Sequence, residues 1–173
     1  MKNLFFCIIS LFSLAAVAQN DVITKHDGTK IEGTVLSRDE FTITFKYAGE
    51  DAENVISQYA IAHIKYGKSG REEDISPKIE IAGPKDYEKV IVLEDKSMTA
   101  GLKRVGEVRG KTSFINMRTS NGSDKKALEK MKKEAAEMGC QFVLFVSENK
   151  SVGASSNKLG GTQVAKNGVG YKY

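Results

Sequence analysis

Between positions 31 and 47 the apolar residues fall at every second place, and this alternation limits the fold more than any other feature of the chain. Ile31, Gly33 and Val35 alternate with Glu32 and Thr34; Phe41, Ile43, Phe45 and Tyr47 alternate with Thr42, Thr44 and Lys46. A two-residue period rich in β-branched and aromatic side chains specifies strands with one buried and one wetted face. Asp27-Gly28 marks a tight hairpin before the first run. Arg38-Asp39-Glu40 makes a polar turn between the two runs, and Gly49 opens a polar loop. Residues 55–60 and 61–66 add two short strands, or a strand and a turn, and a polar strand ends near Ile75. Five short strands joined by tight turns predict a small all-β, barrel-like module of SH3 or Sm type over residues 19–77.

The chain has two prolines, Pro77 and Pro84, and with Gly83 they bracket residues 78–84, read as a linker. Residues 85–173 change pattern. Strands are predicted over 90–93 and 102–109, and a helix from about 124 to 138 with Ser123 as its cap. Leu128, Met131, Ala135 and Met138 share one helix face, and Gly139 stands at the usual stop. The apolar run 142–146 reads as a central strand covered on both faces. Residues 151–161 are small and polar, and a last strand runs over 163–173. The expected fold class is α+β: a barrel-like module followed by a ββαββ sandwich domain, after a cleaved signal peptide.

That signal peptide occupies residues 1–18. A short basic start, an uncharged apolar run over 4–17 and Ala16-Val17-Ala18 before Gln19 predict cleavage after Ala18 and a periplasmic or secreted protein. The run is too short to span a bilayer, so no transmembrane span is expected in the mature chain. Cys7 lies inside the leader and is not followed by a lipoprotein cleavage pattern, so no lipid anchor is expected. The mature chain then holds Cys140 as its one cysteine and has no internal disulfide. Export makes nucleotides and nucleic acid unsuitable partners. The net charge of +4 is mild and allows a weak contact with an anionic envelope surface.

In the second half, Val105-Gly-Glu-Val-Arg-Gly110, the stretch Ala127-Leu-Glu-Lys-Met-Lys-Lys-Glu-Ala-Ala-Glu-Met-Gly139 and Gln141-Phe-Val-Leu-Phe resemble the periplasmic domain of the RcsF family of envelope-stress sensors. The resemblance implies a ββαββ plan and a cell-envelope address over residues 85–173. That family carries two disulfides and a lipid anchor. Near Ser113 and Glu148, where the family has cysteines, this chain has none.

The remaining chemistry is sparse. Gly106 and Gly110 precede Lys111-Thr112, but three residues separate them where a phosphate-binding loop requires four. The glycines read instead as a strand packed closely or bulged. His26 and His63 stand 37 positions apart and are read as an exposed hairpin residue and a barrel-surface or half-buried residue, not a metal pair. Cys140 reads as a small buried hydrophobe. Lys125, Lys126, Lys130, Lys132 and Lys133 make a basic helix. Opposite charges four apart, Glu129–Lys133, Lys130–Glu134 and Lys133–Glu137, predict a solvated, pair-laced face. Glu72-Glu73-Asp74 and Glu50-Asp51 sit in turn regions, with no cleft implied. No catalytic, cofactor-binding or metal-ligating residue is assigned, and no cofactor is expected.

The sequence therefore predicts a non-enzymatic exported cell-envelope protein that mediates protein–protein contacts, in envelope sensing or assembly. Exposed sheet edges and the loops 49–54, 67–71 and 151–161 are the expected contact surfaces. The alternative is a soluble periplasmic binder of a small ligand or glycan held between the two modules, with Tyr66, Tyr87, Tyr171 and Tyr173 as candidate contacts.

Overall fold

A computed structural model describes residues 20–112, 120–152 and 162–173. The expected leader with Cys7, the position of Ser113 and nearly all of the loop 151–161 lie outside the described residues. The fold is α+β.

Six strands form the first sheet: β1 (Asp21–Lys25), β2 (Lys30–Arg38), β3 (Thr42–Tyr47), β4 (Glu53–Ser57), β5 (Ile61–Lys65) and β6 (Glu72–Asp74). Their order is β4-β3-β2-β1-β5-β6, and every neighbouring pair is antiparallel. The registers explain the alternation. Ile23 stands opposite Ile31, Val35 opposite Phe45, and Ile43 opposite Ile56, so the apolar set shares one face. Ile23, Ile31, Ile43, Phe45, Ile56 and Ile64 are buried together there. The β1–β2 turn closes with Gly28 at φ 87° and with the Thr29 amide donating to Asp27.

This sheet curls strongly. Arg38 at the end of β2 reaches Glu73 on β6 at 2.6 Å, across the width of β1 and β5. Glu73 also accepts from the Tyr66 hydroxyl and pairs with Arg71 at 3.0 Å. Burial works against its ionisation, but Tyr66 and Arg38 outweigh that and hold its pKa below the usual carboxylate range. The sheet is nevertheless open, not a closed barrel: no ladder joins β4 to β6 among the described residues. The reason is local. The outer side of β4 is already taken where the Ser57 amide donates to the Ala100 carbonyl, and β6 is only three residues long.

The second sheet holds β7 (Ile91–Leu93), β8 (Lys103–Lys111), β9 (Phe142–Val152) and β10 (Thr162–Lys172) in the order β7-β9-β10-β8. β7 runs parallel to β9; the other neighbours are antiparallel. Between β8 and β9 the chain forms α1 (Ser120–Glu137), which covers one face. The helix starts near 120, not 124, so Ser123 lies within it, buried, and does not cap it. Asn121 and Gly122 are weak helix formers, and packing overrides their preference. The buried face is largely the expected one: Met131 and Ala135 are fully buried and Leu128 packs on the same cluster, with Ala127 and Ala136 added and Met138 left 37% exposed.

Glycines set how closely the helix approaches the sheet. A Cβ at Gly110 would lie 1.8 Å from the Ala127 carbonyl oxygen, so the helix backbone sits directly on β8. Gly168 and Gly170 on β10 make room in the same way for Met131 and Cys140. The glycines of the 106–112 stretch therefore serve close packing. Gly139, at φ 70°, ends the helix as expected. In β9, Phe142 and Val143 are buried, but Val146 is 60% exposed, where the register against β10 shifts.

The two sheets meet in a third cluster of Leu93, Met98 and Phe142, joined by Phe41, Tyr59 and Leu102 among others. Four rings form a continuous row across this seam. His26 lies 4.6 Å from Tyr173, Tyr173 5.4 Å from Phe142, and Phe142 5.5 Å from Tyr59. His26 and Tyr59 belong to the first sheet's half, Phe142 and Tyr173 to the second. The segment 78–84, expected as a linker, is built into the same packing. Ile79 joins the seam, Ile81 packs against the helix cluster, and the Ile79 amide donates to the Tyr173 hydroxyl at 3.0 Å.

Candidate binding groove

A register shift in β1 opens a concavity beside β5. Val22, Ile23 and Thr24 pair regularly with Lys65, Ile64 and His63, but Lys25 then falls opposite Ile61. Such an irregularity re-aims the side chains beyond it. Here the His26 amide donates to the Ala60 carbonyl, and the imidazole turns toward the chain that follows β6. The result is an open groove of about 620 Å³. Lys25, His26, His63, Asp74, Ser76 and Lys78 supply its polar side chains, and Gly28 borders it at the hairpin. The two histidines, 37 positions apart in sequence, thus line one groove. No local sequence signal announces this; it follows from the pairing of β1 with β5, which sets Thr24 opposite His63.

Hydrogen bonding fixes the chemistry of one wall. His26 Nε2 and Ser76 Oγ are 2.9 Å apart, and Ser76 Oγ is 2.8 Å from the Ile61 carbonyl oxygen. A carbonyl only accepts, so the serine proton goes to Ile61 and the serine oxygen accepts from His26 Nε2–H. That is the reverse of the polarity an activated serine requires, where the histidine takes the hydroxyl proton. The pair braces the wall. Burial, then the charge of Lys78, lowers the His26 pKa from its ordinary value, against the opposing pull of Asp27 and Ser76. Burial also works against ionisation of Asp27, but its bonds from Lys25 and Thr29 prevail and lower it to about 2.

The other residues singled out from sequence do not converge. Tyr173 reaches the seam, and burial pushes its phenol up. Tyr171 packs in the seam cluster. Tyr66 lies under Arg71 in the curl of the first sheet, and Tyr87 lies under Lys133 beside the helix. The loop 67–71 is tied down, its Gly67 amide donating to Asp21. Cys140 is fully buried against Gly170, and burial raises its pKa, slightly offset by Lys172. Among the described residues no group of three or more His, Cys, Asp or Glu side chains could hold a metal ion. No helix among them is long and apolar enough to cross a membrane.

Two expectations about surfaces change. Of the helix pairs, Glu129–Lys133 forms at 2.7 Å, but Glu134 and Lys130 reach to β8 and not along the helix. Glu134 accepts from the Arg109 amide at 2.7 Å, and Lys130 donates to the Lys111 carbonyl at 2.8 Å. Lys126 joins Glu129, and Lys132 reaches the Glu88 carbonyl. Most of the basic face is therefore engaged within the fold. The sheet edges are also guarded. β8 is capped by those two helix side chains, β4 is bonded to Ala100, and β6 is short, acidic and followed by Pro77.

Comparison with protein-family models and with curated proteins finds no match to this chain.

Proposed function

We propose that this is a non-enzymatic, exported protein of the cell envelope that works by contacting other proteins, and that the groove at His26 and His63 is its contact site. The observation that carries the reading is the bulge-built groove itself. It is open, braced by hydrogen bonds on one wall, and beside the seam, whereas the sheet edges are occupied or blunt. The architecture supports the envelope reading through two likenesses. The curled six-stranded sheet is in keeping with an SH3/Sm-like module left open between β4 and β6. The succession β7-β8-α1-β9-β10 is in keeping with an RcsF-like ββαββ unit. The leader over residues 1–18 supplies the address.

Site-specific photo-crosslinking in the envelope fraction tests this. A crosslinker at Lys78 should yield defined higher-mass species that disappear when His63→Trp fills the groove. A crosslinker at Val146, on the far sheet, should not. Equal crosslinking from both positions, or species untouched by His63→Trp, would overturn the reading.

A second reading is a soluble binder of a small polar ligand or glycan. A volume of about 620 Å³ and the donors and acceptors of His26, His63, Asp74 and Lys78 favour it. Calorimetric titration with envelope glycan fragments distinguishes it: heat that vanishes in His63→Trp supports it, and no heat removes it.

A further inference from the structure

We propose that the groove accepts an extended segment of a partner protein bearing one basic and one acidic side chain in fixed order, the first for Asp74 and the second for Lys78. This rests on the contact reading above and names the class of partner segment.

The charges around the groove are otherwise satisfied. Lys25 pairs with Asp27 at 2.9 Å, Lys65 with Glu72 at 3.4 Å, and Glu73 with Arg38 and Arg71. Asp74 and Lys78 both line the groove, both are exposed, and neither has a hydrogen-bond or ion-pair partner among the described residues. They do not meet each other. Their backbone is nonetheless held. The Ile75 amide donates to the Ala62 carbonyl, and the Ser76 hydroxyl to the Ile61 carbonyl, so the segment between the two charges is pinned to β5.

Three residues, Ile75, Ser76 and Pro77, lie between the two charges, so their Cα atoms are at most about 14 Å apart. Side chains up to four positions apart on an extended peptide fall within that limit. An unpaired anion and an unpaired cation on the lining of one open groove favour one order of charges on a segment that enters in one chain direction, because the reversed order then places like charges together. His26 and His63 stand on the groove wall beside this pair and supply hydrogen-bonding groups, with His26 Nδ1 free of the serine contact.

The probe is a pair of labelled peptides of the same composition in a Thr/Val/Ser background. One carries Lys and then Glu four positions later; the other carries Glu and then Lys. Fluorescence anisotropy with the full chain should show one order binding roughly fivefold more tightly at low salt. The difference should collapse at high salt. Exchanging the charges with Asp74→Lys plus Lys78→Asp should reverse the preferred order, and the unchanged groove keeps both peptides as substrates of the measurement. Equal binding of the two orders, or a preference that survives the exchange, overturns the proposal. If both orders bind equally but His63→Trp abolishes them, the charge order falls and the contact site stands. If neither peptide binds and position 78 gives no specific crosslink, both fall.

Discussion

Gly110 on β8 and Ala127 on α1 meet backbone to backbone: a methyl group at position 110 would lie 1.8 Å from the Ala127 carbonyl oxygen. The helix cannot move away without uncovering Met131 and Ala135, both fully buried. Gly110→Ala should therefore destabilise the protein by about 3 kcal/mol, lowering Tm by roughly 6–12 °C. Gly83→Ala is the control. Gly83 has extended backbone and open space around its Cα, so its Tm should not move. Thermal unfolding of the two variants side by side checks the claim, and an equal effect would refute it.

Phe142 is the ring on which the seam turns, touching both Tyr59 and Tyr173. Phe142→Ala should cost about 3–5 kcal/mol in denaturant unfolding. Tyr173→Phe keeps the ring and removes only the acceptor of the Ile79 amide, at a cost of about 1 kcal/mol. A larger loss for Tyr173→Phe than for Phe142→Ala would show that the hydroxyl, not the ring packing, holds the seam.

Stability should fall on mild acidification because of His26. Its folded pKa lies below the ordinary value of 6.5, so between the two values the unfolded chain binds more protons. The contribution is fully present above pH 6.5 and is lost as pH falls toward and through the folded value. Asp27 acts lower, between 3.8 and about 2, where its contribution disappears as it protonates. In urea titrations across pH, His26→Gln should flatten the upper limb alone, and Asp27→Asn the acid limb alone. An unchanged upper limb in His26→Gln would contradict the burial of that imidazole.

The bonds from Glu134 and Lys130 onto β8 keep its outer edge from pairing. The double variant Glu134→Ala, Lys130→Ala should cost less than about 1 kcal/mol in stability, since both bonds are exposed. It should also raise concentration-dependent self-association in sedimentation velocity. A strictly monomer-like, concentration-independent profile in the variant would show that the edge needs no guard.

Much of the fold could be read along the chain because its signals are local. The alternation at Phe41, Ile43 and Phe45 and the Asp27-Gly28 turn depend only on neighbours, and the strands and the hairpin stand where those residues place them. Gly139 marks the helix end for the same reason. The helix start was misplaced because Asn121 and Gly122 carry weak propensity that the sheet overrides. The close approach of the helix to β8 depends on Gly110, whose partner is 17 residues away and invisible to any periodicity. The groove depends on a register shift between strands β1 and β5, a property of a pair of strands that neither sequence declares alone. The segment 78–84 looked like a joint because Pro77, Gly83 and Pro84 break regular structure, yet Ile79 and Ile81 are used as packing residues.

The row of rings at the seam gives the molecule an optical reporter of its own. The chain has no tryptophan to swamp the phenolic signal, and two of its six tyrosines, Tyr59 and Tyr173, are held in asymmetric contact with Phe142. Near-ultraviolet circular dichroism therefore follows the docking of one half on the other without any label, and separates that event from the melting of strands seen in the far ultraviolet.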